Sequence, residues 1–203
     1  MLQDLWEENQ IVVFVGNVVT ELSETLGFHY LQPRNRFWEL LEQSGITPTR
    51  IITRQERKAL AEGHRDGNLS EPVRLVFIEK KTSQLRRLGI GLTDLNRRVV
   101  VADEKDKAAV PTDDDIRKFI TRVEKLRPKI VAFVTTPEVF TASFEGRHPE
   151  ITVEPGPEPF TIGSSEVWFL GSTSAKPRGE AIEKQDDAFF ALGEKVDALR
   201  KGG

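Results

Sequence analysis

The chain has 203 residues, 38% of them hydrophobic and 30% charged, a balance that fits one globular domain and excludes a disordered segment. It contains no cysteine, which excludes a disulfide scaffold and thiolate catalysis and makes a cytoplasmic address the default expectation. A formal net charge of −3 argues against a general nucleic-acid coat protein, although a local basic face needs no net positive charge.

In chain order, Asp4, Glu7 and Glu8 precede the first apolar run, so a cleaved secretion signal is not expected, and no run approaches the roughly 18 to 20 residues that span a bilayer. Ile11-Val12-Val13-Phe14-Val15 is continuous, β-branched and closed by Gly16, as expected of a strand buried on both faces. Asn35 is placed to cap a helix in which Phe37, Trp38 and Leu41 recur at core spacing. Arg54 to Ala61 reads as a charged helix, Gly63 to Pro72 as a loop, Val73 to Ile78 as a short strand or helix, and Glu79 to Arg87 as strongly basic. Val99 to Ala102 is a weaker strand candidate. Thr112, followed by three aspartates, opens a helix whose Ile116, Phe119, Ile120, Val123 and Leu126 form one face, with Pro128 past its end. Ile130 to Val134 and Val167 to Leu170 repeat the buried-strand pattern, while Glu145 to Pro159 reads as a surface loop with a short strand near Ile151. A last helix from about Glu180 to Arg200 aligns Phe189, Leu192, Val196 and Leu199.

Helices alternating with buried strands imply a single α/β domain over residues 1–203, a three-layer sandwich around a mostly parallel sheet of about four to five strands. Binding sites in such sheets lie outside the carboxyl ends of the strands, which points to the loops expected after Val15 and after Leu170. Basic pairs stand at Arg34 and Arg36, Arg86 and Arg87, Arg97 and Arg98, and Lys176 and Arg178. Three histidines, two in loop-like surroundings, do not make a zinc site.

Four blocks, in order, carry a family resemblance. Phe14-Val15-Gly16 is followed by Gly27-Phe28-His29-Tyr30 and by Pro33, Asn35, Arg36, Phe37 and Trp38, within an ungapped stretch from Val12 to Gly45. The second block is Gly89-Ile90-Gly91-Leu92-Thr93-Asp94-Leu95, the third Arg127 to Phe133, and the fourth Val167 to Lys176 with its Gly-Ser-Thr-Ser-Ala-Lys ending. Spread in order between Val12 and Lys176, they resemble the mismatch-specific uracil/thymine-DNA glycosylases of the uracil-DNA glycosylase superfamily. Residues 48–88 form a basic stretch that is atypical of that family.

The resemblance implies a uracil-DNA glycosylase-like sandwich that flips a damaged or mismatched base out of double-stranded DNA and hydrolyses its N-glycosidic bond, as a monomer without cofactor or metal. It implies base-binding roles for Gly16, His29 and Tyr30, the tyrosine as a stacking platform. Base stacking on such a ring contributes about 1 to 3 kcal/mol. Ser172, Thr173 and Ser174 correspond to a loop that grips phosphates, and Ala175 and Lys176 to the wedge that fills the vacated stack. Tyr30 as core packing, and residues 172–176 as a ligand-free polar loop, are the structural alternatives.

The family's first motif, Gly-Ile-Asn-Pro-Gly, is replaced by Gly16-Asn17-Val18-Val19-Thr20. Val18 stands where the catalytic asparagine belongs, and an isopropyl group neither donates nor accepts a hydrogen bond. Three outcomes are open: Asn17 takes over by a one-residue shift, Asp94 or Thr20 supplies the polar group, or the scaffold binds altered DNA without cleaving it. A role in protein binding for the basic stretch from Glu79 to Arg87 is a further alternative.

Overall fold

The structure is a computed structural model that describes residues 2–102, 109–174 and 179–202; Ala175, Lys176 and Arg178 therefore lie outside the described residues. Five strands form one sheet in the order β2-β1-β3-β5-β4, with β1 (Val12–Thr20), β2 (Ile90–Val101), β3 (Ile130–Phe133), β4 (Gly156–Ile162) and β5 (Ser165–Phe169). All pairs are parallel except the β4–β5 edge. The molecule is thus α/β with a mostly parallel sheet, and helices cover both of its faces.

The period of two along each strand sorts the core. Val12, Phe14, Ile90, Leu92, Ile130, Ala132 and Trp168 point to one side, against Phe37 and Leu41 of α2 (Phe37–Gln43), Leu85 of α4 (Glu71–Arg87) and Phe189, Leu192 and Val196 of α7 (Glu180–Lys201). Val13, Val15, Val131, Phe133, Val167 and Phe169 point to the other, against Ile116, Phe119 and Val123 of α5 (Asp113–Leu126) and Phe140 and Phe144 of α6 (Pro137–Phe144). Among the described residues, no helix is long and apolar enough to cross a membrane.

Three expectations are corrected. The apolar run does not end at Val15: β1 continues through Gly16, Asn17, Val18 and Val19 to Thr20, so the segment expected as a loop is strand. It stays extended because β2 runs beside it, pairing Gly16 with Asp94 and Val18 with Asn96. The residue run Gly89–Leu95 and the weak strand at Val99–Ala102 belong to one long strand, β2, broken by a register shift opposite Val18 and Val19. No strand forms near Ile151; the extended segment there begins at Gly156 as β4.

The basic stretch folds as two helices, α3 (Arg54–Arg65) and α4, so Val73 to Ile78 is helical and the loop between them is shorter than expected. Neither is a merely solvated attachment. Leu60 and Leu85 enter the core, and two cations are buried with them: Arg57, at 0% exposure, and Lys81.

Candidate functional site

Gly16, Asn17, Val18, Val19 and Thr20 at the end of β1 border a cleft whose other walls come from Ser23, His29, Tyr30, Gln32, Asn35, Asp94 and Val134. These positions lie at the carboxyl ends of β1 and β3, where parallel sheets place ligands. The cavity volume is about 30 Å3. That is room for about one or two ordered waters, not for a nucleobase.

The cleft's electrostatics centre on Asp94 and His29, 8% and 3% exposed. His29 Nδ1 lies 3.1 Å from Asp94 Oδ2, and its Nε2 lies 3.3 Å from the Gln3 carbonyl oxygen. Both partners are acceptors, so satisfying both needs a proton on each ring nitrogen or one on the carboxyl group. The second carboxylate oxygen, Oδ1, faces Gly16 so closely that a Cβ there would collide with it, and the Tyr30 hydroxyl lies 3.2 Å from the same point.

Asn17 is also buried, and its Oδ1 has no hydrogen-bond partner among the described residues. A buried amide oxygen without a partner costs about 1 to 3 kcal/mol, so it marks a place where a water or ligand donor belongs. Val18, by contrast, packs in a small apolar cluster with Val101 and Ala109. Thr20 serves the backbone: it is the N-cap of α1 (Glu21–Leu26), its Oγ1 accepting from Ser23 N at 3.4 Å and donating to Ser23 Oγ at 3.1 Å. That use of its hydroxyl leaves Asn17 and Asp94 as the better-placed polar groups.

Tyr30 adopts φ +55° and stacks on Phe37, with ring centroids 3.9 Å apart and planes at 24°. One face of the tyrosine is therefore taken, leaving at most the other for a base. Its carbonyl accepts from Trp38 Nε1 at 3.2 Å. Asn35 caps α2 one residue ahead of the helix boundary, its Oδ1 accepting from Phe37 N at 2.9 Å. Phe37, Trp38 and Leu41 are fully buried. Sequence reasoning missed Arg57 as the residue behind this wall: it donates to the Asn35 carbonyl and to Glu39 Oε1, both at 2.5 Å. The capping-box pattern of Thr53 and Glu56 could have located its helix, but nothing in the sequence marked which arginine is buried.

The loop after β5 touches the same region. The Thr173 carbonyl accepts from Arg36 N at 3.0 Å, and Gln185 Nε2 donates to the Leu170 and Ser172 carbonyls. Arg36 itself reaches Asp186 at 2.6 Å, so this loop, the start of α2 and α7 are held together. Of the three loop residues expected to grip phosphates, Thr173 is buried at 1% exposure, which withdraws its hydroxyl from the surface. Ser172 and Ser174 bond to each other through their hydroxyls at 2.7 Å.

The fold and site together define an α/β protein with a small polar cleft at the carboxyl edge of a mostly parallel sheet. No protein-family model matches the chain.

Proposed function

We propose that this chain is a DNA-directed protein of the uracil/thymine-DNA glycosylase type, with a uracil-DNA glycosylase-like sandwich as its scaffold, acting on a damaged or mismatched base in duplex DNA. The observation that carries this reading is convergence. Gly16 to Thr20, His29 with Tyr30, and Asp94 come from three segments to which the family resemblance or the altered first motif directs attention, and they border one cleft.

In this reading a water in the cavity donates a hydrogen to Asp94 Oδ1, which directs its lone pair outward, and the unpartnered Asn17 Oδ1 borders the same cleft. The water oxygen bonds to the sugar C1′ as the C1′–N bond breaks, the bonding pair leaves with the base, and a proton passes to Asp94. His29 holds the other carboxylate oxygen. Because the cavity admits water and not a base, the cleft must open for the nucleotide and close around it. The protein acts as a monomer, and its cysteine-free composition fits a cytoplasmic location.

A second reading, a catalytically silent binder of altered DNA, is favoured by Val18, whose side chain closes an apolar cluster at the family's asparagine position. An alkali strand-cleavage assay on duplexes carrying uracil, thymine opposite guanine, hypoxanthine or xanthine separates the two. Base excision predicts cleavage by the wild type, reduced about 10²- to 10⁴-fold in Asp94→Asn. The silent reading predicts binding without cleavage, with activity appearing only in Val18→Asn. Absence of binding to every duplex overturns both.

A further inference from the structure

A groove of about 280 Å3 runs between β2 and α5, and Asp94 borders both this groove and the cleft. We propose that the groove carries the sugar–phosphate backbone of the strand whose base enters the cleft, an assignment that rests on the base-excision reading. Its lining carries four cations, Arg97 and Arg98 from β2 and Lys118 and Arg122 from α5, beside the carboxylates of Asp94 and Asp115 and the apolar Leu95 and Phe119. Cations beside apolar side chains match the two parts of a nucleotide backbone, charged phosphate and apolar sugar face, better than they match a bare anion.

The cations are oriented from behind. Asp4 holds Arg97 at 2.9 Å and also takes Arg122, whose guanidinium lies 4.6 Å over the Trp6 ring. Asp115 receives Arg98 Nε at 2.8 Å on both oxygens, and Asp114 receives Lys118 at 2.7 Å. With Asp94 included, the four carboxylates balance the four cations, so attraction here comes from directed N–H groups and not from a net field. Arg98 offers two further nitrogens beyond the one bound to Asp115. The register shift that follows Asn96 is what takes Arg97 and Arg98 out of the ladder with β1.

Fluorescence anisotropy with a labelled G·U duplex tests this, from about 50 to about 200 mM salt. Arg98→Gln and Lys118→Gln are suited to it because those side chains are 47% and 72% exposed, and a matched thermal melt checks that each variant stays folded. Each is expected to lower the slope of log affinity against log salt by about 0.9, the value of one phosphate contact. Arg87→Gln, on α4, serves as the control and should leave the slope unchanged. A wild type that binds with a slope untouched by either groove variant overturns the groove assignment while base excision stands. Reduced slopes in a protein that never cleaves would retain the groove and remove the reaction. Absence of duplex binding even at about 50 mM salt would also overturn the proposal.

Discussion

Gly16 sets how closely β2 can bring a carboxylate to β1. A Cβ at this position would occupy the place of Asp94 Oδ1, and a carboxylate held by His29 on its other oxygen has little freedom to retreat. Gly16→Ala is therefore expected to displace Asp94 and weaken its contact with His29, at about 1 to 3 kcal/mol of overpacking. Urea denaturation of the single variant and of the same change in an Asp94→Ala background measures this, since the cost should shrink once the carboxylate is gone. An equal cost in both backgrounds would place the strain elsewhere. The glycine was legible as the end of an apolar run, and Asp94 as a departure from the resembling family's motif. Their contact was not, because it depends on the register between two strands more than seventy residues apart.

Helix α5 shows what an element owes to its own sequence. Thr112 Oγ1 accepts from Asp115 N at 3.4 Å and Asp115 returns the bond to Thr112 N at 2.7 Å, a capping box written in the run from Thr112 to Asp115. Burial pushes the Asp115 carboxyl up, but hydrogen bonds from the Thr112 hydroxyl and backbone N–H, joined by Arg98, outweigh it and hold the group below its ordinary 3.8. A depressed folded-state value means stability that is present above the unfolded value and lost as pH falls through the folded one. The Tm gap between wild type and Asp115→Asn should accordingly be full near neutral pH and close as pH drops below about 4. A gap that persists or widens in acid would refute the assignment. Strands were less legible than this helix. Asn17, Thr20, Asp94 and Asn96 look like turn residues, yet they are buried in extended chain because β2 lies against β1 and is bridged on its other side by Leu5.

The two helices of the basic stretch connect the site to the rest of the molecule. From sequence, Arg54 to Ala61 reads as a charged helix and Glu79 to Arg87 as strongly basic, and charge alone does not reveal which cations are enclosed. Arg57 is enclosed: burial draws its guanidinium below the ordinary arginine value, Glu39 draws it back, and the head group bonds the Asn35 carbonyl. Lys81 of α4 holds Glu56 at 2.8 Å and also the Ile51 carbonyl, which secures α3 against α4. The chain of contacts thus runs from α4 through α3 to Asn35, a residue of the cleft wall, and from Arg36 to the loop after β5. Pre-organisation of the cleft by this brace predicts a local response to Arg57→Met. The substitution fills the space but orphans a buried carbonyl, at about 1 to 3 kcal/mol. Glu39 loses the guanidinium on Oε1 while its Oε2 is buried without a partner among the described residues, which adds to that cost. Hydrogen exchange distinguishes bracing from ordinary packing. The amides of Phe37, bonded to Asn35 Oδ1, and of Arg36, bonded to Thr173, should exchange faster in the variant while those of β3 keep their wild-type protection relative to global stability. Faster exchange confined to α3, with Arg36 and Phe37 unchanged, would show that the basic stretch stabilises itself and leaves the cleft to the sheet.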